Sequence, residues 1–351
     1  MRGAPDKVLI LGCGTIGQIK AGLWLSLGAA VYLYDTDPIQ VDRLLAIDER
    51  LKRFQDNTDD FIVDISTPSD QHASSLSWVF KTIQHPKTIL IEKPICTNPS
   101  DKALINQLLR DYKHVPVYVN ESYFWSSALD WLLSQLVENH ETIVSIEINL
   151  SKNRLADAKV GRFFDKELET YGIEVPHALA VLQKLGFDKL KIVENTLYRD
   201  KETSVNQGVH IALSDVSKRT ITIDSFLGDF MIQNDQVMQN SLTRQIAVTT
   251  DKENGYRISF DPAPNERRFK SVIIVNDAER IVLEDDHLRK HLECIQAGNL
   301  DAVMRYFLSP ANSMSIYDLL DTLYRSKFEE ECIPDDVANY YSEVGERAGV
   351  I

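Results

Sequence analysis

The chain is poor in cysteine, in positive charge and in long apolar runs. Its four cysteines, Cys13, Cys96, Cys294 and Cys332, are too far apart for a CxxC or zinc-ribbon spacing. That predicts reduced thiols and no metal centre. No apolar stretch nears the roughly 20 residues that a membrane helix needs. Residues 1–7 carry no secretory apolar region ahead of the first apolar strand. Fifty-two acidic residues against 38 basic ones leave a formal charge of −14. Such a surface suits neither nucleic acid nor an anionic membrane, which both attract positive charge. The expectation is a soluble, cytoplasmic protein with a small-molecule partner. At 351 residues, 44% apolar and 26% charged, it is an ordinary globular chain of about two domains rather than a fibre or a disordered segment.

What is present is alternation. Short apolar runs at 8–11, 31–34, 61–65, 88–91 and 115–119 read as strands, separated by helical periodicity at 18–27, 38–54, 71–82 and 98–112. Asp37 and Pro38 supply an acidic cap and a first-turn proline for the second helix. This spacing predicts a parallel, doubly wound sheet. Beyond about residue 122 strands follow one another at 141–150, 209–213, 220–223, 245–248 and 271–275, with helices at 176–185, 286–296 and 314–328. The expected fold class is α/β. A dinucleotide-binding type of domain would span 1–122. An α+β domain with a large, mostly antiparallel open sheet would span 123–351, its C-terminal helix able to pack back on the first. An open sheet of that kind exposes apolar surface, which predicts a homodimer or homotetramer.

Gly12-Cys13-Gly14-Thr15-Ile16-Gly17 is a complete GxGxxG between the first strand and the first helix, the context in which that spacing has meaning. The first glycine allows a tight turn, the second admits a pyrophosphate, and the third lets helix and strand approach. The start of the helix, at Thr15 and Ile16, offers free N–H groups to the anion. Asp35 ends the next strand, where a carboxylate accepts from ribose hydroxyls and repels a 2′-phosphate. With Thr36 and Asp37 beside it and no arginine there, the cofactor expected is NAD, NADP being disfavoured. The bland alternative is a structural glycine turn beside a chance aspartate.

Two further stretches follow strands: Ser66-Thr67-Pro68, with His72 close behind, and Glu92-Lys93-Pro94. With the glycine loop and Asp35 they resemble the Gfo/Idh/MocA family of NAD(P)-dependent oxidoreductases, which includes glucose–fructose oxidoreductase and myo-inositol dehydrogenase. The resemblance covers the order of elements along most of the chain and is most specific over residues 8–122. It implies an N-terminal Rossmann domain and a C-terminal α+β domain. It also implies that Ser66, Thr67, Pro68, His72 and Glu92 line the cofactor, with Lys93 beside nicotinamide and the substrate carbon. Oxidising an alcohol takes a hydride from carbon and a proton from oxygen, so a group within reach of that oxygen is required. A partly desolvated lysine near a positive ring can have its pKa lowered toward neutrality. A solvated loop lysine is the plainer reading of Lys93.

The family's second catalytic region is Asp-x-x-x-His at a helix start. Here His177 matches, Ile173 stands at the aspartate position and Glu174 follows it. The resemblance makes His177 an acid/base or a substrate-hydroxyl contact, with Glu174 its partner, against a capping or core histidine. Relatives also insert a strand before the Thr-Pro strand. The stretch between Asp35 and Phe61 is short for both that strand and a full helix, which predicts a trimmed adenosine side or an altered strand order. Asn120, Glu121 and Tyr123, after the fifth strand, are candidates to touch nicotinamide (Asn120) or substrate, or simply to cap the next helix. Lys152, Arg154, Lys159 and Arg162 form a basic stretch, with Arg162 a candidate for a substrate anion. Trp78, Trp125, Trp131 and His210 read as structural.

The leading expectation is a dehydrogenase or reductase passing a hydride between nicotinamide and a carbinol carbon of a sugar, sugar derivative or cyclitol. Lys93 would exchange the proton and His177 would assist. Two alternatives stay open: a non-catalytic dinucleotide sensor, and an imine or enone reductase.

Overall fold

The computed structural model describes residues 6–55, 60–155, 157, 164–199, 207–233, 236–240, 242–260 and 269–331. Contacts divide the chain into two compact units, Met1–Trp125 with Asp286–Leu319, and Ser126–Asp285 with Leu320–Ile351.

The first unit alternates strand and helix: β1 (Lys7–Leu11), α1 (Thr15–Ser26), β2 (Ala30–Tyr34), α2 (Pro38–Ile47), β3 (Lys52–Arg53), β4 (Phe61–Ile65), α3 (His72–Thr82), β5 (Pro86–Glu92), α4 (Pro99–Asp111) and β6 (Val117–Asn120). The six strands pair in the order β3-β2-β1-β4-β5-β6, all parallel. β4 is buried along its whole length and β1 along nearly all of it, as expected where helices cover both faces of a parallel sheet. The caps are local. Asp37 accepts from the Ile39 N–H to start α2, and Asn98 accepts from the Asp101 N–H to start α4. The expected altered strand order is not found. The helix stops at Ile47 and the edge strand is two residues long, so the segment before Phe61 holds both.

This order places the C-terminal ends of β1, β4, β5 and β6 side by side, where open α/β sheets bind ligands. Later helices, α7 (His287–Ala297), α8 (Ala302–Phe307) and part of α9 (Pro310–Ser326), belong to this unit too. The Leu308 carbonyl accepts from the Val119 N–H, which occupies part of the free edge of β6.

In the second unit, α5 (Ser127–Glu138) and α6 (Val175–Lys184) pack on one face of a nine-stranded sheet. Its order is β16-β15-β14-β13-β7-β10-β9-β8-β17. These strands are β7 (Ile143–Ser151), β8 (Lys191–Arg199), β9 (Gln207–Ser214), β10 (Thr220–Phe226), β13 (Thr243–Thr250), β14 (Gly255–Ser259), β15 (Lys270–Val275), β16 (Glu279–Glu284) and β17 (Phe328–Glu331). A separate hairpin pairs β11 (Phe230–Gln233) with β12 (Gln236–Gln239). All neighbours in the large sheet are antiparallel except β7 with β10 and β8 with β17. Ile146, Ile148, Ile211, Ile221, Ile223 and Ile258 fill the buried face. The opposite face carries Glu147, Asn149, His210, Asp224, Gln245 and Arg257. Phe226 shares this face and packs with Phe230 and Met231 of the hairpin.

Candidate active site

The glycine loop is shaped by contact rather than by composition. Gly12 has φ +99°, and a Cβ there would lie 2.8 Å from the Thr67 nitrogen; at Gly17 it would lie 1.9 Å from the Gly12 carbonyl oxygen. Both glycines are needed for the chain to close on itself. Gly14 is different: a Cβ there would meet nothing within 4 Å. It is the N-cap of α1, no side chain caps that helix, and no acidic residue occupies its first turn. Gly14 and Thr15 are exposed and Ile16 half-buried. An uncapped helix start beside open space fits a pyrophosphate, whose oxygens take the free N–H groups.

Asp35 sits against this loop. One oxygen accepts from the Cys13 N–H at 2.7 Å and the other from the Asp37 N–H at 2.9 Å. Arg43, from α2, donates to the Cys13 carbonyl at 3.2 Å. No arginine adjoins Asp35 in the chain; α2 brings one from eight positions on. Burial first, then Asp35, pushes the Cys13 thiol up to about 12, so it stays protonated and inert.

The Ser66-Thr67-Pro68 turn packs directly on the loop, with the Ser66 N–H donating to the Leu11 carbonyl at 2.8 Å. His72 is placed behind this turn rather than facing solvent. Its ring is fully buried, with Nδ1 2.9 Å from the Pro94 carbonyl and Nε2 3.1 Å from the Thr67 carbonyl. Burial holds its pKa below the ordinary imidazole value, against the pull of those carbonyls. A neutral ring has one N–H, so it donates to one of the two. His72 therefore ties the Thr67 turn to the Lys93-Pro94 turn, and any part it has in cofactor binding acts through those turns.

Lys93 follows the last residue of β5 and is half-buried. Beneath it lies a network that the sequence reading missed. Lys20, on α1, is fully buried and reaches Asp64 at 2.6 Å and Glu92 at 2.5 Å. Asn120 donates to the same Glu92 oxygen at 2.5 Å. Its carbonyl lies 2.6 Å from His291 Nδ1. Trp24 donates to the second Asp64 oxygen at 2.9 Å. Glu92 and Asn120, expected to touch the cofactor, have these side-chain atoms engaged inside the protein. Burial alone would raise the Glu92 pKa, but Lys20 and the other donors outweigh it and hold it below the ordinary range. One signal was available. Gly17, Lys20, Ala21 and Trp24 share the buried face of α1, the i, i+3, i+4, i+7 spacing of a core stripe.

Glu121 is buried beside the same turn. Burial pushes its pKa up to about 8, with Lys93 opposing and Glu92 adding to the rise. Tyr123, a candidate substrate contact, is buried and stacked on His287 with ring centroids 5.3 Å apart.

In the second unit, His177 lies in the first turn of α6 and is half-buried, with Glu174 buried at the N-cap and Ile173 buried before it. The Glu174 side chain makes no capping hydrogen bond. Asp165 is the aspartate near this turn: a Cβ at Gly172 would lie 2.4 Å from its Oδ2. Arg162 and Lys159 lie outside the described residues. Lys152 and Arg154 are 3.4 and 3.7 Å from Asp157, which spends part of their charge. Trp78 stacks on Tyr34, Trp125 on His291, and Trp131 meets Tyr256 edge-on. His210 pairs with Asp224 at 2.7 Å. Among the described residues no group of three ligating side chains could hold a metal, and no helix is long and apolar enough to cross a membrane.

No family model matches this chain, and no curated protein matches it. Solved structures do. KijD10, a 3-ketoreductase from Actinomadura kijaniata solved with TDP-benzene and NADP, is 14% identical with a TM-score of 0.68, over 94% of this chain and 100% of that one. The UDP-N-acetylglucosamine 3-dehydrogenase GnnA from Acidithiobacillus ferrooxidans is 12% identical with a TM-score of 0.64, over 93% and 98%. A protein from Desulfitobacterium hafniense described as an NADPH-dependent oxidoreductase is 14% identical with a TM-score of 0.68, over 92% and 96%. At these identities the likeness is one of fold: along almost its whole length the chain has the two-sheet architecture of these proteins.

Proposed function

We propose that the chain is an NAD(P)-dependent oxidoreductase of the Gfo/Idh/MocA type, acting on a hydroxyl or carbonyl carbon of a sugar, sugar derivative or cyclitol. The observation that carries this reading is the alignment of strand ends. The uncapped glycine loop after β1, the Thr67 turn after β4 and Lys93 after β5 open at one edge of one sheet. The loop and the N–H groups of α1 would hold the pyrophosphate, and Asp35 the ribose. The nicotinamide supplies or accepts the hydride when bound. Lys93 would exchange the proton of the reacting oxygen, and the family resemblance gives His177 a positioning or assisting role. GnnA is named for UDP-N-acetylglucosamine and KijD10 was solved with the nucleotide compound TDP-benzene, so nucleotide sugars lead the panel, with free sugars, sugar phosphates and inositols after them.

NAD is the cofactor we propose from Asp35, with Arg43 softening the discrimination against NADP. Binding of NADH and NADPH, followed by fluorescence, tests this. Arg43→Ala should weaken NADPH selectively, and Asp35→Asn should strengthen it. Equal effects on both cofactors would remove these residues from the choice. Light scattering tests the proposed self-association; a monomer at micromolar concentration would end it.

A binding-only sensor is the second reading, favoured by Ile173 at the usual aspartate position. The reading is decided by near-ultraviolet absorbance of reduced nicotinamide across the panel. Turnover excludes a pure sensor, whereas tight dinucleotide binding with silence across the panel favours one.

A further inference from the structure

The buried network beneath Lys93 has a fixed direction. Lys20 can only donate and ionised Glu92 can only accept, so Asn120 must turn its NH₂ to Glu92 and its carbonyl to His291. His291 must then carry its proton on Nδ1. Every link from Asp64 to His291 is thereby assigned. The five residues come from α1, β4, β5, β6 and α7.

Stability gives no reason for this arrangement. Three buried charges cost several kcal/mol each to desolvate, and apolar substitutes for such clusters are often neutral or stabilising. Placement does give one. Lys20 is on the helix whose N-terminus forms the glycine loop, and Glu92 is covalently joined to Lys93. One ammonium therefore links the dinucleotide helix to the proton-transfer turn.

We propose that Lys20 is a positioning residue for the reaction: its ammonium holds the Glu92 carboxylate and locks the Glu92-Lys93-Pro94 turn to α1, with Asn120 and His291 holding the other side. This rests on the reading of Lys93 as the proton-exchanging group. The groups facing Glu92 are Lys20 from α1, His72 from α3, Lys93 after β5, Asn120 at the end of β6 and Glu121 after it; Asp64 from β4 pairs with the same ammonium and His291 from α7 bonds Asn120. His72 and His291 are held neutral by burial. Burial also pushes Glu121 up to about 8, so the unfolding series is repeated with Glu121→Gln to separate its titration.

The test uses the full chain carrying Lys20→Met, and Lys20→Met with Asp64→Asn should the single variant not fold. Two readouts are taken from pH 4 to 9: thermal unfolding, and kcat with the KM for cofactor. Without its cation Glu92 should hold its proton into the neutral range. Unfolding temperature should then fall more steeply as pH rises through that range than it does with Lys20 in place. The acidic limb of the kcat profile should move up by about one pH unit or more, kcat at neutral pH should drop about 10²-fold, and the cofactor KM should stay nearly constant. A lower unfolding temperature with an unmoved limb and unchanged kcat would overturn the assignment and leave Lys20 a structural residue. If the parent binds no dinucleotide and turns over no substrate, the oxidoreductase reading itself fails and takes this role with it. Parental turnover separates the two failures.

Discussion

Both units bury carboxylates, but among the described residues only the first has two of them sharing one fully buried ammonium. In the second unit Asp215 accepts from the Arg219 guanidinium of its own turn, and Asp285 accepts from Ser126 Oγ, the Ser127 N–H and Ser271 Oγ. Asp165 likewise accepts from the Glu167 and Leu168 N–H groups. These are turn and cap contacts that hold the backbone. In the first unit Asp64 and Glu92 share one buried ammonium, and Glu121 lies close by with a raised pKa. Neutral donors suffice to fix a loop. Opposed buried charges set protonation states, and perturbed titrations of this kind gather where chemistry is done. On the proposed function, the difference would separate the working end of the first sheet from the supporting sheet of the second.

The largest expected effect would test that contrast directly. Lys20→Met leaves two buried carboxylates without their cation and should cost about 3–5 kcal/mol. Ser271→Ala removes one hydroxyl donor to Asp285 and should cost about 1.5–3 kcal/mol. Chemical denaturation measures both, and equal costs would erase the distinction. The glycine loop sharpens it next. Gly17→Ala forces a Cβ onto the Gly12 carbonyl and should cost about 1–3 kcal/mol. Gly14→Ala has room, so it should unfold like the parent yet bind dinucleotide at least about tenfold more weakly, about 1.4 kcal/mol.

A smaller effect concerns pH. The Glu121 carboxyl is raised to about 8 in the fold from an ordinary 4.5. Its contribution to stability is therefore full below about 4.5 and is lost as pH rises through about 8. Glu121→Gln should lose less stability than the parent between those values, and parallel stability–pH curves would refute the assignment. Least of all, Asp277→Ala on the second sheet breaks an exposed pair with Arg257. It should change stability by about 0–1 kcal/mol.

Much of this was legible in the sequence because it was local. Continuous apolar runs marked β1, β4 and β5, Asp37 with Pro38 marked the start of α2, and the glycine spacing marked its own strand and helix. β3 escaped because two exposed residues, Lys52 and Arg53, have no periodicity to read. Lys20 escaped because a lone lysine in a helix reads as solvent-facing. Its burial depends on Asp64, 44 residues away. His291 meets Asn120 across 171 positions, and no spacing announces that. The make-up of the outer face of the second sheet was hidden for a related reason: alternation reveals two faces but not which of them is covered.

The most direct test of the account is reduction or oxidation of nicotinamide by the intact chain with a nucleotide-sugar panel, beside Lys93→Ala. The account predicts turnover in the parent, a loss of about 10²–10⁴-fold in kcat for the variant, and a cofactor affinity that is nearly unchanged. Turnover by Lys93→Ala at the parental rate would contradict it.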